Sequence, residues 1–391
     1  MIIGIDGSRA FLKERTGIEE YSYQVIKNLV DKLNGHEVVL YIRKNQKVDF
    51  ALPSNWKIKI VKWPFLWTQI GLSLELLWYP VDVLFISAHI VPLIHPEKTY
   101  VTIHGLEYEF VPEAYPWWEK IYIRFAIKKS CQRAKTIIAV SNNTKRDLVR
   151  LYDIKEEKIR VIYEGYNRNF KFQISNFQSN PNFQNSNLKI DSKFKIQNSK
   201  FLLFIGRLEE RKNIIGIIQA FEILKEKYKI PHELILAGKP GFNYKKIQSY
   251  LSSSPYKSDI ILTGFVSEEE KGELLKNAEV FLFPTFYEGF GLPILEAQNA
   301  GVSVVASNNS SIPEVITPKA ELSEFLKLGF RKNDVSSALL VDPKDPSAIA
   351  EATYKLITDK NLKEEIIEKG LENTKRFSWE KCAKEIADIL N

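Results

Sequence analysis

One loop of the sequence combines two carboxylates with the glycines and the helix start that an anion site needs. It lies in the segment Phe281-Leu-Phe-Pro-Thr-Phe-Tyr-Glu-Gly-Phe-Gly-Leu-Pro-Ile-Leu-Glu296. We expect a buried strand to end at Phe283 and a helix to begin near Leu292, with Pro293 in its first turn. The glycines allow a ligand to approach the backbone closely, and the first amides of the helix present a positive dipole end. The segment therefore predicts an anion site that suits a diphosphate.

The two glutamates of this segment lie at different depths relative to the helix start. Glu288 precedes the helix, followed by Gly289, Phe290 and Gly291, whereas Glu296 lies about one turn inside the helix. Each carboxylate could accept hydrogen bonds from a pair of hydroxyls, one pair on a sugar and one on a ribose. A glycine-rich turn with surface glutamates is the alternative interpretation.

A second candidate element is Gly206-Arg207-Leu-Glu-Glu-Arg-Lys212-Asn213, which stands between a predicted strand and a predicted helix. Arg207 and Lys212 would lie at the carboxyl edge of a sheet. Cations there can offset the negative charge that develops on a phosphate leaving group. A solvated basic loop is the alternative, and the glutamate segment is what favours a chemical role.

The first half of the chain offers two further candidates. Gly17 follows the first predicted strand and opens a helix, where a glycine lets a ligand approach the backbone; a plain turn glycine is the alternative. His104 ends the predicted strand Thr99 to Ile103, again at a carboxyl edge. A histidine there can hydrogen-bond a substrate hydroxyl or move a proton, and a structural histidine is the alternative.

Motifs that would indicate other chemistry are absent. The sequence has no Asp-x-Asp, Gly-x-x-x-x-Gly-Lys-Ser/Thr, Gly-x-Gly-x-x-Gly or Gly-x-Ser-x-Gly. This argues against a metal-bridged diphosphate site of the Asp-x-Asp kind, P-loop NTPases, common dinucleotide oxidoreductases and α/β hydrolases. Two cysteines and five histidines show no metal-ligand or disulfide spacing. We therefore expect no metal, no cofactor and a reducing compartment.

Short β-branched runs alternate with longer amphipathic segments along both halves of the chain. This alternation predicts an α/β fold of two doubly wound Rossmann-like domains, with ligands at the carboxyl ends of the strands and in the cleft between the domains. The predicted strands are Ile2 to Ile5, Glu37 to Ile42, Asp82 to Ile86, Thr99 to Ile103, Thr136 to Val140, Phe201 to Ile205, Glu233 to Ala237, Ile260 to Leu262, Val280 to Phe283, Val302 to Ala306 and Ala338 to Val341. The predicted helices include Ile18 to Leu33, Asn142 to Leu151 capped by Ser141, Asn213 to Tyr228, and Trp379 to Leu390 capped by Ser378.

Composition changes mark the domain boundaries. Residues 167–200 are rich in Asn, Gln, Ser, Lys and Phe, which predicts a low-complexity linker between a first domain of residues 1–166 and a second of residues 201–376. A partner-binding segment is the alternative for this stretch. Residues 317–337 form a Lys/Glu-rich insertion in the second domain.

The overall composition is that of a soluble globular protein. The chain has 391 residues, 45% of them hydrophobic and 26% charged, with a formal net charge of +7. This excludes disordered, fibrous and membrane-embedded classes, and the small excess of positive charge favours anionic partners without establishing nucleic-acid binding. The first residues do not resemble a signal peptide, so a cytoplasmic location is expected.

The apolar stretch from Val61 to Tyr79 is interrupted by polar residues and predicts a strand end, a turn and a buried helix, with membrane-surface contact as the alternative.

Taken together, the motifs resemble the retaining GT-B glycosyltransferases of family four, the glycosyl transferases group 1, and their mannosyltransferase-like members. The resemblance covers nearly the whole chain except residues 167–200 and 317–337. Its motifs in the second half are Glu288-x7-Glu296 with Gly-Phe-Gly-Leu-Pro, Gly206-Arg207 with Lys212-Asn213, Ala237-Gly-Lys239 and Leu262-Thr-Gly-Phe-Val266. In the first half they are Thr16-Gly-Ile18 with Tyr21, Val101-Thr-Ile-His104, Ala139-Val-Ser141 and Val161-Ile-Tyr-Glu-Gly165.

The resemblance implies a role for each candidate residue. Arg207 and Lys212 would bind the donor diphosphate, Glu296 the ribose hydroxyls and Glu288 the donor-sugar hydroxyls. The remaining implied donor contacts are the amides of Phe290, Gly291 and Leu292, Val266 near the base, Gly17 near the phosphates and His104 near the reacting carbon. The final helix, residues 377–391, would return to the first domain. The expected donor is of the GDP-mannose or UDP-glucose type, and the expected acceptor is a glycan or a lipid-linked molecule.

Two departures from the family pattern concern the acceptor side. The chain has His104-Gly105 where relatives have His-Asp, and Glu19-Glu20 where they often have a basic residue. The sequence shows no evident carboxylate nucleophile, so retention favours front-face attack by the acceptor hydroxyl. The departing diphosphate oxygen would then take the proton, and Arg207 and Lys212 would offset its charge.

Two other classes of function remain as alternatives. One is a non-catalytic subunit that binds a nucleotide sugar and tethers a partner, and the other is a nucleic-acid or membrane-surface protein. Net charge alone supports the last of these, and we expect no nucleic-acid partner. Peripheral contact with the inner face of the cytoplasmic membrane is compatible with a transferase, since Trp63, Trp67, Trp117 and Trp118 would suit a lipid-linked acceptor. Core packing explains these tryptophans equally well.

Overall fold

The computed structural model describes residues 1–166, 200–317 and 336–391. They form two compact units, each assembled from segments that are separate along the chain. The first unit comprises Met1–Leu106, Pro116–Tyr166 and Phe377–Asn391, and the second comprises Glu107–Tyr115 and the described part of Asn167–Arg376. The predicted linker up to residue 199 and the predicted insertion between residues 318 and 335 lie outside the described residues.

The first unit contains a sheet of seven parallel strands. These are β1 Ile2–Asp6, β2 Glu37–Arg43, β3 Trp56–Val61, β4 Val83–Ile86, β5 Lys98–Ile103, β6 Thr136–Ala139 and β7 Ile159–Val161. They follow the order β3-β2-β1-β4-β5-β6-β7. The direction in which strands are added reverses between β1 and β4. Such a reversal opens a crevice at the carboxyl ends, where ligands of doubly wound sheets bind.

The second unit contains a sheet of six parallel strands. These are β8 Phe201–Ile205, β9 Glu233–Ala237, β10 Ile260–Gly264, β11 Val280–Phe283, β12 Ser303–Ser307 and β13 Leu339–Val341. Their order is β10-β9-β8-β11-β12-β13, so the reversal lies between β8 and β11. Every residue of β8, β9, β11 and β12 is buried. Burial on both faces is the reason these strands are continuous apolar runs.

The helices connect the parallel strands and cover the sheets. They are α1 Gly17–Leu29, α2 Ser73–Trp78, α3 Glu107–Phe110, α4 Trp117–Arg133, α5 Asn142–Tyr152, α6 Ile214–Lys227, α7 Tyr244–Ser253, α8 Glu268–Asn277, α9 Leu292–Asn299, α10 Ile312–Ile316, α11 Pro346–Thr358, α12 Lys360–Thr374 and α13 Trp379–Leu390. Single 3-10 turns occur at Val30–Lys32, Pro112–Ala114, Glu156–Lys158, Glu210–Lys212 and Lys257–Asp259, and a π-helical turn at Trp67–Leu72.

The predicted pair of doubly wound sheets is confirmed, and several elements match closely. The strands Phe201–Ile205, Glu233–Ala237 and Val280–Phe283 have the predicted bounds. The predicted cap at Ser141 is confirmed, since its Oγ accepts a hydrogen bond from Thr144 N at 3.0 Å. Ser378 caps α13 in the same way. The first helix is shorter than predicted, because regular α-helix ends at Leu29 and a 3-10 turn follows.

The final helix, α13, packs against α1 in the first unit. The rings of Tyr21 and Trp379 make an edge contact with centroids 5.9 Å apart. Gly165 lies directly under the start of α13, where a Cβ would come within 2.1 Å of Trp379 N. A residue larger than glycine would therefore displace the helix.

The short segment Glu107–Tyr115 belongs to the second unit, and no sequence pattern had marked it. Phe110 stacks on Tyr287 with ring centroids 4.6 Å apart. Val111, Ala114 and Tyr287 form a small buried cluster. Aromatic and apolar contacts thus fix this segment beside the loop that follows β11.

The four candidate interface tryptophans divide into buried and exposed. Trp67 is buried and donates from Nε1 to Val61 O at 3.1 Å. Trp63, Trp117 and Trp118 are exposed, so core packing is the wrong explanation for these three. The stretch after Val61 forms a turn and then α2, but the predicted burial of this helix is wrong, because Leu77 and Trp78 are exposed. In the described part of the chain, no helix is long and apolar enough to span a membrane.

Candidate functional site

A predicted cation and a predicted carboxylate meet at the reversal point of the second sheet. Lys212 follows β8 and Glu288 follows β11, and these strands are neighbours. Lys212 Nζ lies 2.5 Å from Glu288 Oε1, with both side chains almost fully buried. A pair removed from water in this way is held in one geometry, because each charge would be costly to bury without the other.

Arg211 is a second cation on Glu288, although the sequence pattern had not singled it out. Its Nη1 lies 3.5 Å from Glu288 Oε1, and its Nη2 lies 2.8 Å from Glu209 Oε1. Burial opposes its charge, but the carboxylates of Glu288, Glu107 and Glu209 raise the pKa of Arg211 above its ordinary range. The adjacent Arg-Lys pair in the sequence was the available signal for this residue.

The other predicted cation, Arg207, is placed differently. Its side chain is 54% exposed, and its Nε lies 3.6 Å from Glu209 Oε2. Since exposed ion pairs at this distance are weak, Arg207 keeps donors available at the carboxyl edge. The two predicted cations thus combine one buried and one exposed charge at the end of β8.

The loop that carries Glu288 is fixed by the serines that follow β12. Ser310 Oγ accepts a hydrogen bond from Glu288 N at 3.1 Å. Ser311 Oγ lies within donating distance of Glu288 O at 3.0 Å and of Phe290 O at 2.8 Å. This loop is therefore held before any ligand arrives, which is the condition for preorganised binding.

The predicted helix start at Leu292 is confirmed by α9. Gly291, just before it, has φ +115°, a backbone conformation that favours glycine. Among the described residues, the amides of Gly291 and Leu292 donate to no backbone carbonyl. Pro293 occupies the first turn, as predicted. This helix start thus has the chemistry of an anion site, and a diphosphate bound there stays a prediction.

Glu296 lies inside α9 and is paired with a lysine that the sequence pattern had not singled out. Lys271 Nζ in α8 lies 2.8 Å from Glu296 Oε1 and 3.0 Å from Glu268 Oε1. Although burial opposes its charge, the two glutamates raise the pKa of Lys271 above its ordinary range. The pairing fixes one oxygen of Glu296. No spacing signal could have found Lys271, because 25 residues separate it from Glu296.

Val266 lies just beyond β10, near the carboxyl end of that strand. Its side chain is buried, whereas the neighbouring Phe265 is exposed. Lys239 Nζ lies over the Phe265 ring, 4.7 Å from its centroid. The predicted proximity of Val266 to a base remains a prediction.

In the first unit, His104 has both ring nitrogens engaged. Its Nε2 donates to Ser87 O at 2.9 Å, and its Nδ1 lies 3.1 Å from Glu164 Oε1. Tyr21 makes an edge contact with the imidazole at 4.5 Å between centroids. The structural alternative accounts for these contacts, and a sugar contact stays a prediction. Glu164 belongs to the Tyr-Glu-Gly motif, but its contact with His104 had no signal in the sequence.

Gly17 is the first residue of α1 and is exposed. A Cβ built on it would meet nothing within 4 Å. Within the described residues, therefore, no steric contact requires a glycine at position 17. Close approach of a ligand to the backbone is an explanation that can be tested. Glu19 and Glu20, which differ from the family pattern, interact with near neighbours. Glu19 accepts a hydrogen bond from the side chain of Thr16, the helix-capping residue, and Glu20 forms an ion pair with Arg15 at 2.9 Å.

The pKa of Lys212 gives a pH prediction for anion binding. Burial lowers this pKa from the ordinary value of 10.5, and the nearby positive charge of Arg211 lowers it further. The negative charge of Glu288 opposes both effects. Lys212 therefore loses its proton, and its attraction for a diphosphate, at a lower pH than an ordinary lysine. We expect nucleoside-diphosphate affinity, measured by calorimetry from pH 7 upward, to fall on the alkaline side. Lys212→Arg should extend binding to higher pH, and coincident profiles would contradict this role.

Within residues 1–166, 200–317 and 336–391, no group of three or more His, Cys, Asp or Glu side chains is arranged to hold a metal ion. The expectation of a metal-independent site stays a prediction that a chelator can test.

Two family models match successive parts of the chain. The model of glycosyl transferases group 1 matches residues 186–373, and that of Glycosyltransferase Family 4 matches residues 15–170. O-antigen chain mannosyltransferase B of Escherichia coli is 29% identical over 73% of this chain and 68% of that protein. Serotype-specific mannosyltransferase WbdA of Escherichia coli is 26% identical over 64% of this chain, but the match spans only 28% of its length.

Solved structures are similar over the whole chain. Sucrose-phosphate synthase from Thermosynechococcus elongatus has a TM-score of 0.72 at 17% identity, covering 99% of this chain and 97% of that one. Anabaena HepE in complex with UDP-glucose has a TM-score of 0.68 at 16% identity, covering 99% and 98%. At these identities the similarity shows the fold. Together with the two family models, it shows that the chain is a mannosyltransferase-like member of the group 1 glycosyltransferases with the GT-B fold.

Proposed function

We propose that this glycosyltransferase moves a hexose, mannose or glucose, from a nucleotide-diphosphate sugar to a glycan or lipid-linked acceptor with retention of configuration. The observation that carries the proposal is the buried Lys212–Glu288 pair at the reversal point of the second sheet. The pair adjoins the start of α9, so a cation, a carboxylate and backbone amides occur in one loop system. These are the groups that a sugar diphosphate would require.

Each side chain has a distinct proposed role. Arg207 and Lys212 bind the diphosphate, and Glu288 accepts hydrogen bonds from hydroxyls of the donor sugar. Glu296, which Lys271 holds in place, accepts hydrogen bonds from the ribose hydroxyls. Preorganisation by the serines after β12 reduces the ordering cost when the donor binds.

The proposed reaction is front-face substitution. The acceptor oxygen forms a bond to the anomeric carbon on the face from which the diphosphate oxygen departs. The acceptor proton passes to that departing oxygen, and Arg207 and Lys212 offset the remaining negative charge. Catalysis then depends on positioning and on electrostatic stabilisation of the leaving group.

The comparisons support two donor classes. The mannosyltransferase names of the curated relatives favour a mannosyl donor, whereas the UDP-glucose complex of a protein with the same fold favours a glucosyl donor. The O-antigen chain function printed for one relative is compatible with a glycan or lipid-linked acceptor.

The deciding experiment is thermal melting of the protein with UDP, GDP, ADP and their sugar conjugates, with and without EDTA. A ligand at 100 times its dissociation constant should stabilise the fold by about 2.7 kcal/mol. We expect a chelator-insensitive shift with one nucleotide series. The exposed Lys245→Met variant serves as a control and should keep that shift. The absence of a melting shift with every nucleotide would contradict the proposal. A melting shift with a sugar nucleotide, but no release of nucleotide when acceptors are added, would favour a non-catalytic binding subunit.

A further inference from the structure

The first half of α4 has an apolar stripe that is largely exposed to water. The buried residues of this helix all lie in its second half, from Ala126 onward. Its exposed apolar side chains recur at helical spacing and form one face: Trp117, Trp118, Ile121, Tyr122 and Phe125. Trp117 is 73% exposed and Phe125 is 64% exposed. Large aromatic residues left in water on one face of a helix usually mark an interaction surface.

A second exposed apolar group lies around α2 in the same unit. Phe65 is 77% exposed and Trp78 is 75% exposed, although both stand in a stretch anchored by buried Trp67. The other exposed members of this group are Trp63, Leu66, Leu74, Leu77 and Tyr79.

The segment that precedes β5 connects the two groups. Val91 N donates to Ser130 Oγ of α4 at 2.9 Å, and Leu93 N donates to Ser73 Oγ of α2 at 2.8 Å. The side chains of Leu93 and Ile94, at the second of these anchors, are exposed and apolar. The β3-to-β4 and β5-to-β6 connections also run in the same direction across the sheet. Right-handed crossovers therefore place both helices on one face of it.

The positive charge of this surface indicates which kind of partner it binds. Helix α4 has one acidic residue, Glu119, and five basic ones: Lys120, Arg124, Lys128, Lys129 and Arg133. Lys129 Nζ lies 5.9 Å from the ring centroid of Phe125, so positive charge directly borders the apolar stripe. Trp and Tyr rings flanked by lysines suit the boundary between lipid headgroups and acyl chains, because the rings enter the boundary while the amines stay with the headgroups.

We propose that α4, α2 and the segment 91–94 form a docking face that seats the first unit on an anionic lipid bilayer. A two-fold dimer through this face is disfavoured, because it would place two copies of the basic helix against each other. The inference goes beyond sugar transfer and extends the proposed function, on which its biological purpose rests. A protein seated on a bilayer would meet a lipid-linked acceptor there.

The test is co-sedimentation of the full chain with vesicles of phosphatidylcholine containing phosphatidylglycerol, without any donor. We expect binding to these vesicles and little binding to pure phosphatidylcholine. Trp117→Ser/Trp118→Ser should weaken binding about tenfold or more, and so should Lys128→Glu/Lys129→Glu, since each basic residue near an anionic surface contributes measurably to binding. High salt should reduce wild-type binding.

Val149→Ser/Leu151→Ser is the matched control, because it removes exposed apolar side chains from α5 and should leave binding unchanged. Equal loss in this control, equal binding to neutral vesicles or no binding at all would overturn the proposal. A wild-type dimer in solution that Trp117→Ser/Trp118→Ser converts to a monomer would also overturn it. Nucleotide-induced melting shifts, measured on the same variants, report the donor site separately. Failure of lipid binding is thus distinguishable from failure of the proposed function.

Discussion

Replacing Lys212 by Met is expected to reduce sugar transfer by about 10²- to 10³-fold, the usual result of removing one preorganised group from a charge-stabilising site. Lys212 is buried, and its Nζ lies 2.5 Å from Glu288 Oε1. No mobile side chain can therefore take the place of the lost ammonium group. Initial rates of nucleotide release measure the effect. Because the leaving group develops its charge in the transition state, kcat should fall more than KM rises.

Two further variants separate charge from packing. Lys212→Arg keeps the cation and should retain part of the activity. Lys212→Met/Glu288→Gln removes both charges of the buried pair, so its free energy of unfolding should recover relative to Lys212→Met while transfer stays low. The wild-type rate in Lys212→Met, with the fold intact, would remove this residue from the donor site.

Replacing Glu296 by Gln is expected to weaken donor binding about 10- to 100-fold, since hydrogen bonds to a charged group contribute roughly 1.5–3 kcal/mol. The ribose is remote from the reacting bond, so KM should change more than kcat. Lys271→Met should act indirectly. It leaves Glu296 buried without its cation and should cost about 3–5 kcal/mol in the free energy of unfolding.

The matched comparison is Lys363→Met, which breaks the partly buried pair with Glu279 in the same unit. It should lower the free energy of unfolding without changing the donor KM. The double variant Lys271→Met/Glu296→Gln should regain stability but not donor affinity. If Lys271→Met and Lys363→Met change KM equally, Lys271 has no special relation to the donor site.

Local patterns were sufficient to predict the parts of the fold that depend on near neighbours. Val280–Phe283 is buried on both faces, so its apolar run was unambiguous. Ser141 and Ser378 cap helices through residues three positions ahead, within the range that sequence spacing describes. The position of Lys212 at the carboxyl edge of a sheet also followed from sequence, whereas its contact with Glu288 depends on β8 and β11 being neighbours, which the structure shows.

Contacts between distant segments had no such signal. Lys271 reaches Glu296 from another helix, and Glu164 reaches His104 across 60 residues. The packing of Phe110 on Tyr287 depends on tertiary contacts that no local periodicity records. The exposure of Trp118 could not be predicted either, because aromatic residues at helical spacing give the same sequence pattern on a buried face and on an exposed one.

The position of α13 constrains the order of events during synthesis. The core of the first unit includes Trp379, Cys382 and Ile386, all buried, yet more than two hundred residues follow Tyr166 before they are made. At about 5–20 residues per second, a ribosome needs roughly 10–40 s to reach them. During that interval the surface of α1 that Trp379 later covers is open, so a nascent chain is exposed to premature association or chaperone capture until α13 emerges.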